Sequence, residues 1–399
     1  MNGRVPWKKK LSGSPPEERD MRYLKPQYII DRPAISAGVV IPAAAILFCI
    51  FFSPGCGSRD TESQAPGTGG FTYDFRLEQD SNSGHTVVTL VRQGSEKRLE
   101  ARIAPSAGAN LLGLTYGGLE LILGPESMEE FDGSRPGTPV LYPTPCRIPG
   151  GKFTFLGKEF DFGINRDDTH IHGLVRNMPW QYETPKVDQN GVSLYTWIEF
   201  SPGGPLYEKF GYDHTLSLVY RLGAKGLRII YEVANRSGEP LPYGFGFHPY
   251  FNYPGEREEV YLRVPAAGRM LMEELIPTGG IAELEGKYDL RQMKPAAGLA
   301  LDDVFTGMAQ EQPAVIEWRD SGVRLTLNAS HRFTHLIVYD QPENPFFCVE
   351  NMTCSPDAHN LFTKGFAEAS GLKIVPPGGK STGWVHYAVE DLGGKSIKH

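Results

Sequence analysis

The chain has 399 residues, 40% of them hydrophobic, and a formal net charge of −7. That length supplies a large core without disulfide staples, and the absence of a basic stripe argues against nucleic acid as a partner. The five cysteines, Cys49, Cys56, Cys146, Cys348 and Cys354, lack the short paired spacing of a zinc or redox motif and do not form a disulfide framework. Cys348 and Cys354 are close enough in sequence to be joined in an oxidising compartment, but free, buried thiols are expected.

The amino terminus has its own character. Lys8, Lys9, Lys10, Arg19, Arg22, Lys25 and Arg32 precede an uncharged run at 34–52, AISAGVVIPAAAILFCIFF. Basic residues ahead of such a run fit a signal peptide or a signal anchor, so the body is expected to be exported, either periplasmic or held at a membrane. The following SPGC, ending at Cys56, is similar to the lipid-attachment site of bacterial lipoproteins. Ser53 and Pro54 fit its upstream positions poorly, and the preceding stretch is long for a signal peptide. Translation from Met21 or retention as an uncleaved anchor would account for that length. Cys56 reads equally as an acylation site and as a free cysteine at a membrane edge.

The chain therefore divides into a basic region at 1–33, a signal or anchor segment at 34–56, a linker at 57–70 and a folded body at 71–396. The linker is small, polar and glycine-rich, the composition of a flexible tether. In the body, TVVTLVRQ from Thr86, TLSLVYRL from Thr215, LRIIYEVAN from Leu227, EVYLRVP from Glu259, VRLTLNAS from Val323 and THLIVYD from Thr334 read as strands separated by turn residues. With 46 Gly and 32 Pro in the chain and few uninterrupted helical periods, an all-β fold is predicted, one large antiparallel β-sandwich of two packed sheets.

Five stretches concentrate ionisable residues among glycine, proline and aromatics: YPTPCRIPGGKF with Arg147, RDDTHIHGLVRNMPW with His170 and His172, GFGFHPYFNYPG with His248, LALDDVFTG with Asp302 and Asp303, and FFCVENMTCSPDAHN with Glu350. Each has a plain structural reading when taken alone. A histidine among aromatics packs in a core, Arg147 and Glu350 form an ion pair, and Asp302 and Asp303 shape a turn. On a strand, His170 and His172 would share one face, where metal binding is open, but nothing at fixed spacing supplies a third ligand.

In order, the five stretches resemble the aldose 1-epimerase, or galactose mutarotase, family. The resemblance runs from AGANLLGLTYGGLELI at Ala107 to IVPPGGKSTGWVHYAV near the end. It implies a β-sandwich of the galactose mutarotase type and interconversion of the α and β anomers of a free aldose, with a small sugar as partner and no cofactor. It further implies roles for individual residues. Glu350 in VEN is similar to the catalytic base, His248 in HPYFN to the acid, and His172 in IHGL to the first active-site histidine. Arg147 in RIPGGKF and Asp302 in LDDVF resemble sugar-binding residues; His170 is extra to the pattern. Trp180, Tyr250 and Phe251 are candidate floor for the sugar's C–H faces, with core packing the preferred reading of Phe251. Leu174 and Asn351 stand where the family commonly has glycine and proline, which bears on the preferred sugar. A non-catalytic carbohydrate-binding module of the same fold, or an epimerase of hexose 6-phosphates using Arg166, Arg176 or Lys152, are the alternatives. The residues alone leave the oligomeric state open.

Overall fold

Strict alternation of buried and accessible residues organises the longest strands. In Gly191–Phe200, Val192, Leu194, Thr196, Ile198 and Phe200 are buried while the residues between them are more accessible. Gly226–Asn235 and Lys380–Asp391 follow the same rule. Side chains on a strand point alternately to the two faces, so each of these strands covers a core with one face and meets solvent with the other. Each fully buried Val, Leu, Ile or Phe side chain contributes roughly 1.5–3 kcal/mol of hydrophobic stabilisation.

A computed structural model describes residues 70–94 and 97–393, which belong to one compact unit. The basic region, the apolar segment, Cys56 and residues 57–69 lie outside the described residues. Among the described residues no helix is long and apolar enough to cross a membrane.

Antiparallel sheets dominate, as predicted. A 10-stranded sheet contains Gly191–Phe200, His214–Gly223, Gly226–Asn235, Lys380–Asp391, Val323–Ala329 and Ala314–Trp318 as successive neighbours, with shorter strands at its ends. An 8-stranded sheet runs from Ile276–Ala282 through Gly268–Glu273, Leu301–Thr306, His335–Asp340 and Phe346–Met352 to Gly246–Phe247 and Val140–Leu141. One hydrophobic cluster joins them: Leu325, Val385 and Tyr387 of the first sheet share it with Phe305, Leu336, Val338, Phe347 and Val349 of the second. Trp318 seals the junction, 6.2 Å from Phe251 and 6.5 Å from Phe347 between ring centroids.

The expectation of two sheets was incomplete. A separate 5-stranded sheet, beginning with Thr72–Gln79 and Thr86–Gln93 and ending at Leu119–Glu120, contributes Val88, Leu90, Ala101 and Ile103 to the same cluster. Phe251 is fully buried there, matching its reading as core. Cys146, Cys348 and Cys354 are free and buried.

Candidate active site

Period-2 alternation gives the 8-stranded sheet a second, chemically different face. In Phe346–Met352, Phe347 and Val349 enter the core cluster, so Cys348 and Glu350 point the other way. In Leu301–Thr306, Leu301 and Phe305 are core and Asp302 lies opposite them; in His335–Asp340, Leu336 and Val338 are core and Ile337 and Tyr339 lie opposite. Register aligns these outward residues into rows. Asp302 pairs with Tyr339, Tyr339 with Cys348, and Cys348 with Tyr250. In the next row Ile337 pairs with Glu350.

His248 completes that second row. Tyr250 lies opposite Cys348 and Gly246 opposite Met352, so the residue between them in sequence faces Glu350. His248 Nε2 lies 3.4 Å from Glu350 Oε1. The imidazole is stacked on Tyr250, with centroids 4.7 Å apart and planes at 10°. Its edge meets the His172 ring at 5.2 Å and 81°.

Arg147 and His172 come from loops braced against each other. Arg147 pairs with Ile171 in a short two-stranded ladder, and the His172 N–H donates to the Cys146 carbonyl at 2.9 Å. Asn165 clamps Ile171 from both sides, its Oδ1 accepting from the Ile171 N–H at 2.7 Å and its Nδ2 donating to the Ile171 carbonyl at 3.1 Å. His172 itself has a φ of 68°, a left-handed conformation costly for a side-chain-bearing residue. That backbone change corrects the expectation that the two histidines share a face. The strand ends at Ile171, and the His170 ring sits between the carbonyls of Gly163 at 2.9 Å and Gly173 at 3.1 Å. His170 ties two loops together, while His172 lines the cavity.

The cavity has a volume of about 440 Å³, and Arg147, His172, His248, Asp302 and Glu350 all line it. Trp180 does not. Its indole is buried in the core cluster and donates to the Val175 carbonyl at 3.3 Å, so its assignment to the sugar floor is corrected: an apolar ring with a satisfied N–H belongs in the interior. Tyr250 is at the cavity, with Tyr339 and Phe346, which the sequence reading missed, and Arg135 at its edge. Nor do Asp302 and Asp303 make a turn. They lie on a strand, where Asp303 pairs with Arg269 at 2.9 Å and Asp302 faces the cavity. Arg147 and Glu350 form no ion pair with each other among the described residues.

Burial dominates the electrostatics. It pushes the Glu350 carboxyl well above its usual value, assisted by Asp302 and opposed by Arg147. Burial likewise raises Asp302, against the pull of Arg147. It lowers His248 to about 3, with Arg176 and Arg135 adding to the effect, and takes His172 well below the usual histidine value, with the His248 ring as next cause. Glu350 Oε2, His248 Nδ1 and His172 Nδ1 have no hydrogen-bond partner. Buried polar atoms without partners are exceptions in folded proteins, and three around one cavity point to a polar ligand. His248, Cys348 and Glu350 also present ligand atoms within 4.8 Å of one another. Burial holds the Cys348 thiol protonated, however, so the trio is not a ready metal cradle.

Comparison with known proteins settles the affiliation. The family model for aldose 1-epimerase matches residues 90–388. The chain belongs to the aldose 1-epimerase family. It is similar to YihR of Escherichia coli (strain K12), itself uncharacterized, at 27% identity over 262 residues, covering 64% of this chain and 81% of YihR. It is also similar to galactose mutarotase of Rattus norvegicus, 32% identical over 152 residues, covering 37% of this chain and 42% of the rat protein. The fold matches a galactose mutarotase-like protein of Clostridium acetobutylicum with a TM-score of 0.71 and 24% identity, covering 79% of this chain and 98% of that one.

Proposed function

We propose that this member of the aldose 1-epimerase family interconverts the α and β anomers of an aldose by acid/base ring opening, with Glu350 and His248 as the catalytic pair. The observation that carries the reading is the approach of His248 Nε2 to Glu350 Oε1 at 3.4 Å inside a sugar-sized cavity. Anomer exchange needs one group to remove the O1 proton while another protonates the ring oxygen. Both oxygens are attached to C1, so the two groups must stand side by side.

Glu350 takes the O1–H proton as the C1–O5 bond breaks. The electron pair of that bond stays on O5 and receives a proton from His248, and C1=O1 forms. The aldehyde rotates about C1–C2, O5 attacks the other face, and both protons return along the same paths. Positioned acid/base groups of this kind contribute about 10²–10⁴-fold each. Between turnovers the pair holds one transferable proton. Burial favours that proton on the carboxyl, and the cationic Arg147 helps form the carboxylate that abstracts. His172, Arg147 and Asp302 hold the sugar hydroxyls and keep C1 aligned, which accounts for much of the rate gain.

Polarimetry on freshly dissolved α-D-glucose and α-D-galactose tests the reading. Accelerated equilibration that is lost in Glu350→Gln supports it, and no acceleration of any aldose overturns it. We further propose that the body is exported behind the apolar segment at 34–52.

A further inference from the structure

The cavity carries more positive charge than a neutral sugar requires. Arg135, Arg147 and Arg166 line it. Arg176 lies near them: burial disfavours its charge most, Asp132 favours it, and Arg166 and Arg135 disfavour it, while Arg176 adds to the effect of burial in disfavouring charge on His248. This cluster occurs in a chain whose formal net charge is −7.

These guanidinium groups are poorly matched within the protein. Among the described residues, the side chains of Arg135, Arg147 and Arg176 make no ion pair and no hydrogen bond. Arg166 has only Asp167, at 3.8 Å and 85% exposed, a contact of little energetic weight. Asp132, the acid beside Arg176, spends its Oδ1 on the Ser134 hydroxyl and N–H at 2.6 and 2.8 Å. Burial raises both Asp302 and Glu350, which weakens their compensation of this charge. Holding like charges together, one of them half-buried, costs free energy that Asp132 repays only in part.

The cluster also has a direction. The loop bearing Arg135 runs beside the catalytic histidine: the His248 N–H donates to the Pro139 carbonyl at 3.2 Å and the Tyr250 N–H to the Gly137 carbonyl at 2.9 Å. The segment bearing Arg176 packs on the same loop, leaving no room for a side chain at Gly133, whose Cβ would lie 2.7 Å from the Arg176 carbonyl oxygen. Under the proposed mechanism His248 holds the ring oxygen, which is bonded to C5, and C5 carries C6. The substituent on C6 therefore emerges on the side of Arg135.

We infer that the substrate is an aldose bearing an oxyanion on C6, a carboxylate or a phosphate, held by Arg135 and Arg166 of the cavity wall. The planar guanidinium fork matches both groups bidentately. The inference rests on the epimerase reading for the orientation of the sugar, but the anion subsite itself does not.

Anomer exchange measured by NMR on D-glucose, D-glucose 6-phosphate and D-glucuronate tests it, alongside calorimetric titration of the enzyme with inorganic phosphate. At least roughly a tenfold advantage in kcat/KM for an anionic sugar over glucose is expected, corresponding to one charge-assisted contact, and it should shrink as salt rises. Which anionic sugar leads distinguishes carboxylate from phosphate. Arg135 and Arg166 are both exposed, so Arg135→Met and Arg166→Gln are expected to fold. They should lower that advantage by roughly tenfold or more and weaken phosphate binding. Equal turnover of glucose and both anionic sugars, unchanged in the double variant, overturns the inference and leaves the epimerase standing. Phosphate binding that is lost in the double variant, with no sugar turned over, upholds the subsite and overturns the epimerase. Neither binding nor turnover overturns both.

Discussion

The Tyr250 ring lies flat on the His248 imidazole, with planes at 10° and centroids 4.7 Å apart, and so fixes the edge of the imidazole that meets Glu350. Phe346 closes edge-on against Tyr250 at 4.8 Å, which holds the stack in place. If orientation is the role of Tyr250, Tyr250→Phe keeps the rate near wild type and Tyr250→Leu lowers kcat roughly tenfold. His248→Asn removes the proton carrier itself and lowers kcat by about 10²–10⁴-fold. Polarimetric rates on protein with an unchanged circular-dichroism spectrum check all three.

The pH profile follows from the opposing shifts of the pair. His248 takes up a second proton only near its lowered value of about 3. Glu350 gives up the shared proton only above its raised value, which exceeds the ordinary 4.5. Between these limits the pair holds one proton and can cycle; the values belong to the pair rather than to either residue. The profile of kcat/KM should therefore lack an acid limb at the ordinary histidine value and decline on the alkaline side as the pair is emptied. An acid limb centred near 6.5, the ordinary histidine pKa, contradicts this.

Stability carries the opposite signature. The Glu350 carboxyl binds its proton more tightly folded than unfolded. Its favourable contribution is thus complete below the unfolded value and is lost as pH rises through the folded one. Glu350→Gln should abolish turnover under the proposed mechanism and remove that loss, so its melting temperature should exceed that of the wild type by a margin that widens with pH. Scanning calorimetry from acid to mildly alkaline pH checks the trend. A margin independent of pH would mean that Glu350 is not buried as a neutral acid.

Much of the site was readable where strand alternation holds. Val349 next to Glu350, and Phe247 next to His248, follow the two-residue period that sends one side chain to the core and the next to the cavity. His172 escaped that logic because a backbone with φ of 68° separates it from the strand carrying His170, and residue type alone does not forecast such a break. Trp180 and Tyr250 are both aromatics beside ionisable residues, and only tertiary packing sends one to the interior and the other to the cavity. Arg135 was invisible because its loop reaches His248 through backbone bonds to residues more than 100 positions away in sequence. Its signal is a lone arginine in the glycine- and proline-rich GSRPGTP, the same grammar as the loop bearing Arg147.

The proposed export gives a prediction independent of the site. If Cys56 is acylated, the mature protein partitions into membranes, carries the mass of a lipid at that residue and loses both in Cys56→Ala. If the apolar run is instead an uncleaved anchor, Cys56→Ala stays with the membrane at full-length mass. Fractionation with intact-mass measurement separates the two, and a full-length wild type recovered wholly in the cytosolic fraction contradicts export.

Gly173 provides a last test, because it ties the backbone beneath His172 to the core. Its φ is 71°, and a Cβ there would stand 2.2 Å from the Tyr142 carbonyl oxygen. That oxygen also accepts from the Leu174 N–H at 2.7 Å, and the Tyr142 hydroxyl is fixed to His214 Nε2 at 2.7 Å, so Tyr142 has little freedom to retreat. Gly173→Ala should cost about 1–3 kcal/mol from the strained backbone. It should also displace His172, and a misplacement of about 1 Å lowers kcat/KM by roughly a hundredfold. Gly203→Ala is the matched control: its φ is also positive, at 83°, but no atom lies within 4 Å of the added carbon. It should lose stability from the backbone alone and keep its rate. Equal loss of turnover in both variants would show that the Gly173 contact has no part in placing His172.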